Sequence, residues 1–170
     1  MRDIVRDSLA AGASGVSTGL YYEPAFAAPT EEVIEVCRPL TAAGGLYCTH
    51  MRNEAEGIID SLDESFRIGR ELDVPVVISH HKVVGVRNQG RSPETLAHIA
   101  KHMGTQSIGL DCYPYCASST ILSLSRIGIA SKVLVTWSKP HPEFAGRDLE
   151  EIAREMGVTK EEAVPRLLPA

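Results

Sequence analysis

Over roughly its first two-thirds, the chain alternates short apolar runs of β type with stretches whose apolar positions recur at helical spacing. The opening Met1-Arg2-Asp3-Ile4-Val5-Arg6 reads as an amphipathic helix with Ile4, Val5 and Leu9 on one side. Gly15 to Leu20 predicts a strand. Thr30 is expected to cap the next helix, with Glu31 and Glu32 in its first turn and Val33, Ile34, Val36 and Cys37 as its apolar face. Gly44-Gly45 closes that helix, and Leu46 to His50 predicts a second strand. Residues 57–72 place Ile58, Ile59, Leu62, Phe66 and Ile68 at mostly helical spacing, Asp73-Val74-Pro75 breaks the pattern, and Val76 to His80 predicts a third strand. Ser92-Pro93-Glu94 opens a helix with proline at its first position, expected to carry Leu96, Ile99 and Met103 inward. Ser107 to Tyr113 predicts a fourth strand. Strands alternating with helices imply right-handed crossovers and a parallel sheet.

After Tyr115 the rhythm changes. Ile121 to Leu124 is apolar, Lys132 to Trp137 reads as one more strand, and Gly146 to Glu151 starts a polar amphipathic helix. Thr159-Lys160-Glu161-Glu162 marks another capped helix, expected to end near Pro165.

Composition narrows the class. The 170 residues are 44% hydrophobic and 23% charged, as in one soluble globular unit, whereas a closed (β/α)8 barrel needs about 250 residues. A net charge of −5 without a Lys/Arg stripe argues against nucleic acid as partner. No apolar run approaches ~18 residues, so no membrane span is expected, and the first residues lack the apolar core of a signal peptide. Cys37, Cys48, Cys112 and Cys116 lack disulfide-framework spacing and suit free thiols in a reducing cytoplasm; Cys112-x-x-x-Cys116 could form half of a zinc knuckle, but no second half follows and the signal is weak.

Ligand-type residues stand where the predicted strands end: His50, His80, and Asp111 with Tyr113. In parallel sheets that edge carries the active site. Two imidazoles on successive strand ends suit one zinc ion, but a lone strand-end histidine is more often a hydrogen-bonded rim residue. Spacing alone leaves both readings open.

Tyr47-Cys48-Thr49-His50-Met51-Arg52, followed by His80 in Val76-Val77-Ile78-Ser79-His80-His81-Lys82, resembles the D-aminoacylase family of the amidohydrolase superfamily. Ser17-Thr18-Gly19 with Tyr22, Asp111-Cys112-Tyr113-Pro114-Tyr115 and Gly146-Arg147-Asp148-Leu149-Glu150-Glu151-Ile152-Ala153 match in the same order over essentially the whole chain. The resemblance implies a zinc-dependent hydrolase of N-acyl-D-amino acids. It makes His50 and His80 metal ligands on the fifth and sixth strands of a (β/α)8 barrel, with strand alternation selecting His80, on one face with Lys82, over His81. It makes Tyr22, Lys82, Tyr113 and Ser119 substrate contacts, an ammonium and hydroxyls suited to a carboxylate and to the carbonyl oxygen under attack.

The resemblance also implies missing parts. The family's His-x-His pair, its ligand cysteine and the aspartate that acts as base have no counterpart in these residues; neither Cys48 nor Asp111 replaces them. The expected fold is therefore α/β, strands four to seven of a TIM-type barrel over residues 1–120 with a helical insertion over 121–170. Such a fragment is expected to bind zinc weakly and to self-associate or take up a complementing chain through its open edges. Three alternatives stand beside it: a non-catalytic binding or interaction remnant; another amidohydrolase, such as a dihydroorotase-like cyclic amide hydrolase; and a doubly wound α/β domain with His50 and His80 far apart. Imidazoles that share zinc must approach within about 4 Å.

Overall fold

The computed structural model describes residues 1–170, which form two compact units, Met1–Val84 with Asn88–Pro114 and Gly85–Arg87 with Tyr115–Ala170. The first is a parallel α/β unit. Strands β1 (Gly15–Gly19), β2 (Leu46–His50), β3 (Val76–Ile78) and β4 (Ile108–Leu110) lie side by side in chain order. Every adjacent pair is parallel, with Gly19 opposite His50 and Thr49 opposite Ile78.

Helices α1 (Arg2–Ala10), α2 (Thr30–Cys37), α3 (Pro39–Ala43), α4 (Ile58–Leu72) and α5 (Ser92–Met103) belong to the same unit. Its core joins Ile34, Leu40, Ile58, Leu62, Phe66 and Leu72 from the helices to Tyr47, Val76, Ile78 and Ile108 from the strands. Alternation leaves Cys48 and Val77 half-buried on the opposite side of the sheet. Gly69 lets α4 press against the sheet, since a Cβ there would stand 2.1 Å from Cγ2 of Val76. Asp73, left-handed at φ 53°, ends α4 and turns the chain into β3.

Several local expectations need correction. Thr30 is the first helical residue, not the cap; its hydroxyl donates instead to Glu64 at 2.8 Å. Only Ile99 of the three apolar positions expected inward on α5 is buried; Leu96 and Met103 are 48% and 55% exposed. The helix buries a narrower stripe, with Thr95 in place of a larger apolar side chain. Strand pairing stops at Ile78, so His80 lies beyond β3, at φ 41°. Ile4, expected on an apolar side, is 65% exposed.

In the second unit, α6 (Leu124–Ile127), the antiparallel pair β5 (Leu134–Val135) and β6 (Arg147–Asp148), α7 (Leu149–Met156) and α8 (Lys160–Leu167) surround a small core that includes Phe144, Ile152, Val164 and Leu167. Asp148 caps α7, and Thr159 with Glu162 forms a reciprocal capping box on α8. Pro165 sits inside α8 rather than ending it. No helix of the chain is long and apolar enough to cross a membrane.

Candidate metal centre

The ends of β2 and β3 bring two imidazoles together. His50 is the last residue of β2, and Nδ1 of its ring lies 2.9 Å from Nε2 of His80. Two nitrogens of a tetrahedral zinc site are about 3.3 Å apart, given Zn–N bonds near 2 Å. A few tenths of an ångström separate the observed pair from that arrangement.

His80 reaches this position through a turn rather than through strand alternation. Its backbone is left-handed, a conformation uncommon outside glycine. The Asp111 carboxylate, just past β4, accepts from the His80 amide and so holds the turn. His81 consequently faces elsewhere: its Nε2 lies 2.9 Å from Oγ1 of the buried Thr95. Burial first, then the Lys82 ammonium, lowers the His81 pKa. His80 lies with Lys82 and apart from His81 because of a turn and a carboxylate, not because of the pleat.

Behind both imidazoles sits Glu54, its side chain 3% exposed. Oε1 lies 3.2 Å from Nδ1 of His80, and Oε2 lies 3.7 Å from Nε2 of His50. The carboxylate thus addresses the nitrogen of each ring that faces away from the other ring. Carboxylates in that place orient metal-binding histidines and raise their basicity. The Lys82 ammonium stands 2.8 Å from each Glu54 oxygen, which compensates the buried charge.

The network also couples to the ring protons. Lys82 can only donate, so it bonds to Nδ1 of His80, 2.8 Å away, only in the tautomer whose hydrogen sits on Nε2, toward His50. A cation between the same two nitrogens requires that hydrogen on Nδ1 instead, where Glu54 is ready to accept it. Neutral imidazoles with a carboxylate behind them are a donor set that fits zinc; one ligand atom each from His50, Glu54 and His80 lies within 4.8 Å of the others.

Around this cluster the loops are tied down. Arg52 makes a forked pair with Glu64 of α4, at 3.1 and 2.8 Å, and donates to the carbonyls of Phe26 and Ala28. That links the segment after β1 to the one after β2. The Tyr22 ring centroid lies 5.0 Å from that of His50, and the Lys82 ammonium lies 5.8 Å from the Tyr113 ring centre. Beneath the rim, Tyr47 is fully buried, its hydroxyl 2.7 Å from Oγ1 of Thr18, and burial pushes its pKa up to about 12.

The structure therefore brings His50, His80, Lys82, Tyr22 and Tyr113 into one neighbourhood. Ser119 is exposed and belongs to the second unit. Glu54 is the group that the sequence reading misses. It follows a strand end by four residues in an irregular link, where neither a period of 2 nor of 3.6 assigns a direction.

No family model matches the chain. It is 57% identical over all 170 residues to D-aminoacylase of Alcaligenes xylosoxydans xylosoxydans, 35% of which it covers. A solved D-aminoacylase, described as defining a novel subset of amidohydrolases, superimposes with a TM-score of 0.94 at 58% identity, over 99% of this chain and 36% of that one. N-acyl-D-glutamate deacylase from Bordetella bronchiseptica, solved with zinc and a phosphonate mimic of the tetrahedral intermediate, gives 0.94 at 40% identity over the same shares. The whole chain is thus homologous to D-aminoacylase and spans about a third of the length of these relatives.

Proposed function

We propose that this chain carries part of the metal centre and substrate pocket of a zinc-dependent amidohydrolase that cleaves N-acyl-D-amino acids to a D-amino acid and a carboxylate. The observation that carries the reading is the 2.9 Å approach of His50, at the end of β2, and His80, in the turn just past the adjacent parallel β3. His50 and His80 hold the metal and Glu54 orients both. Zinc bound there acts as a Lewis acid toward water and the amide carbonyl.

Lys82 and Tyr113 take the substrate carboxylate, with Tyr22 as a further contact. Lys82 has three N–H donors, directed at Glu54, at Nδ1 of His80 and, at 3.1 Å, at the His80 carbonyl. The proton shift that readies His80 for a cation ends its acceptance from Lys82. One donor is then released for an anionic substrate, so metal and substrate binding favour each other.

The four parallel strands fit strands four to seven of a (β/α)8 barrel. Their spatial order follows the chain without reversal, as in barrels, whereas doubly wound sheets reverse direction at a switch point. The second unit fits an insertion within the same domain. The remaining ligands and the base come from parts of such an enzyme that these residues do not include. In isolation the chain binds zinc weakly and self-associates or takes up a complementing segment. Four free cysteines suit a cytoplasmic setting.

The test is a graft. This chain replaces the matching third of the Alcaligenes D-aminoacylase, and hydrolysis of N-acetyl-D-methionine is measured. The graft retains hydrolysis, and His50→Ala or His80→Ala lowers it more than 100-fold. A folded, zinc-loaded graft without turnover, or one indifferent to both substitutions, contradicts the proposal.

A further inference from the structure

A second group of ligand-type side chains lies apart from the strand ends. Asp63 of α4 and His98 and His102 of α5 each offer one ligand atom within 4.8 Å of the other two. His98 and His102 are one helical turn apart, the spacing that sets two imidazoles on the same face of a helix. Nε2 of His98 lies 2.7 Å from Oδ1 of Asp63. Nδ1 of His102 lies 3.0 Å from the His98 carbonyl, a bond it makes only as a donor, which leaves Nε2 as the lone-pair nitrogen. The buried Phe66 ring sits beneath both, with centroids 6.0 and 4.8 Å from His98 and His102. His102 is therefore fixed in a metal-binding tautomer, Nε2 of His98 and the Asp63 oxygen stand where an ion would take the place of the hydrogen they share, and an apolar floor limits their movement.

We propose that Asp63, His98 and His102 form a separate site for one divalent transition-metal ion of zinc, nickel or copper type. Two imidazoles and one carboxylate suit these metals rather than calcium or magnesium, which prefer oxygen ligands. Three protein ligands leave a position for water. The ion would cross-link α4 to α5 on the helical layer, and its role is structural or regulatory. This inference does not rest on the proposed hydrolase function.

The experiment is a zinc chloride titration by calorimetry of the chain carrying His50→Ala and His80→Ala. It binds one equivalent of zinc, and adding His98→Ala weakens binding at least tenfold, while Asp63→Asn weakens it several-fold without altering the fold. In the unsubstituted chain, histidine ring resonances followed by NMR give an independent reading: those of His98 and His102 shift on adding zinc. A folded His50→Ala/His80→Ala chain that takes up no zinc overturns the site. So does binding indifferent to His98→Ala and Asp63→Asn, or zinc that leaves the His98 and His102 resonances unmoved.

Discussion

Two places in the parallel unit assemble a pair of imidazoles and a carboxylate, and they do so by opposite means. The inner cluster draws His50 from the end of β2 and Glu54, His80 and Lys82 from the links after β2 and β3, around a carboxylate 3% exposed. The outer cluster takes both histidines from one helix and a carboxylate 53% exposed from its neighbour. Helical spacing alone nearly builds the second. The first exists only when β2 and β3 pair in register and Asp111 holds the His80 turn. Burial commits the inner groups to one another, because each charge there depends on its partner, whereas water screens the outer pair. The inner cluster is thus preorganised by the fold, and the outer one is an opportunity on its surface.

The sharpest way to break this contrast is to remove each carboxylate. Glu54→Leu leaves the partly buried Lys82 without its counter-charge and is expected to cost about 3 kcal/mol in urea unfolding. It also lowers zinc affinity at the inner pair by about 10–100-fold, read by calorimetry. Asp63→Asn is expected to change stability by no more than about 0.5 kcal/mol. Equal losses would erase the distinction.

The frame under the inner cluster titrates in base. Burial pushes the Cys37 thiol from 9.0 up to about 11, and Tyr47 from 10.0 up to about 12. In both, the unfolded chain releases its proton first. Their stabilising effect is therefore complete below pH 9 and declines from there to about pH 12, by roughly 1.4 kcal/mol per unit for each group within its own window. Urea unfolding from pH 8 upward checks the slope, and Tyr47→Phe removes the part between 10 and 12.

Gly69→Ala forces a Cβ against Val76 and Gln106. It lifts α4 from the sheet at a cost of about 1–3 kcal/mol, visible as a lower midpoint in urea. In the second unit, Thr159→Ala removes the α8 capping box and costs about 1 kcal/mol. Histidine resonances of both clusters stay in place, since that change is local.

Most of the frame was legible along the chain. The apolar runs over 15–20, 46–50 and 76–80 mark strands because a buried parallel strand needs an apolar stretch, and Gly44 and Asp73 end helices where a left-handed residue is required. That His50 and His80 stand near the ends of neighbouring strands was legible, but spacing left a shared metal open and only the resemblance favoured it. The exposed Leu96 and Met103 were not, because periodicity gives a face and not how much of it finds a partner. Glu54 and the His80 turn depend on contacts between segments about thirty residues apart, with Lys82 and Asp111, which no local period encodes. The outer cluster was visible only as His98-x-x-x-His102 until α4 supplied Asp63.

Nitrogen NMR of the histidine rings during zinc addition tests the shared-metal geometry at the atoms concerned. The large coordination shifts should fall on Nδ1 of His50 and Nε2 of His80, with the His81 ring unmoved. Zinc that saturates the protein while shifting His81, or while leaving the rings of His50 and His80 as they were, contradicts it.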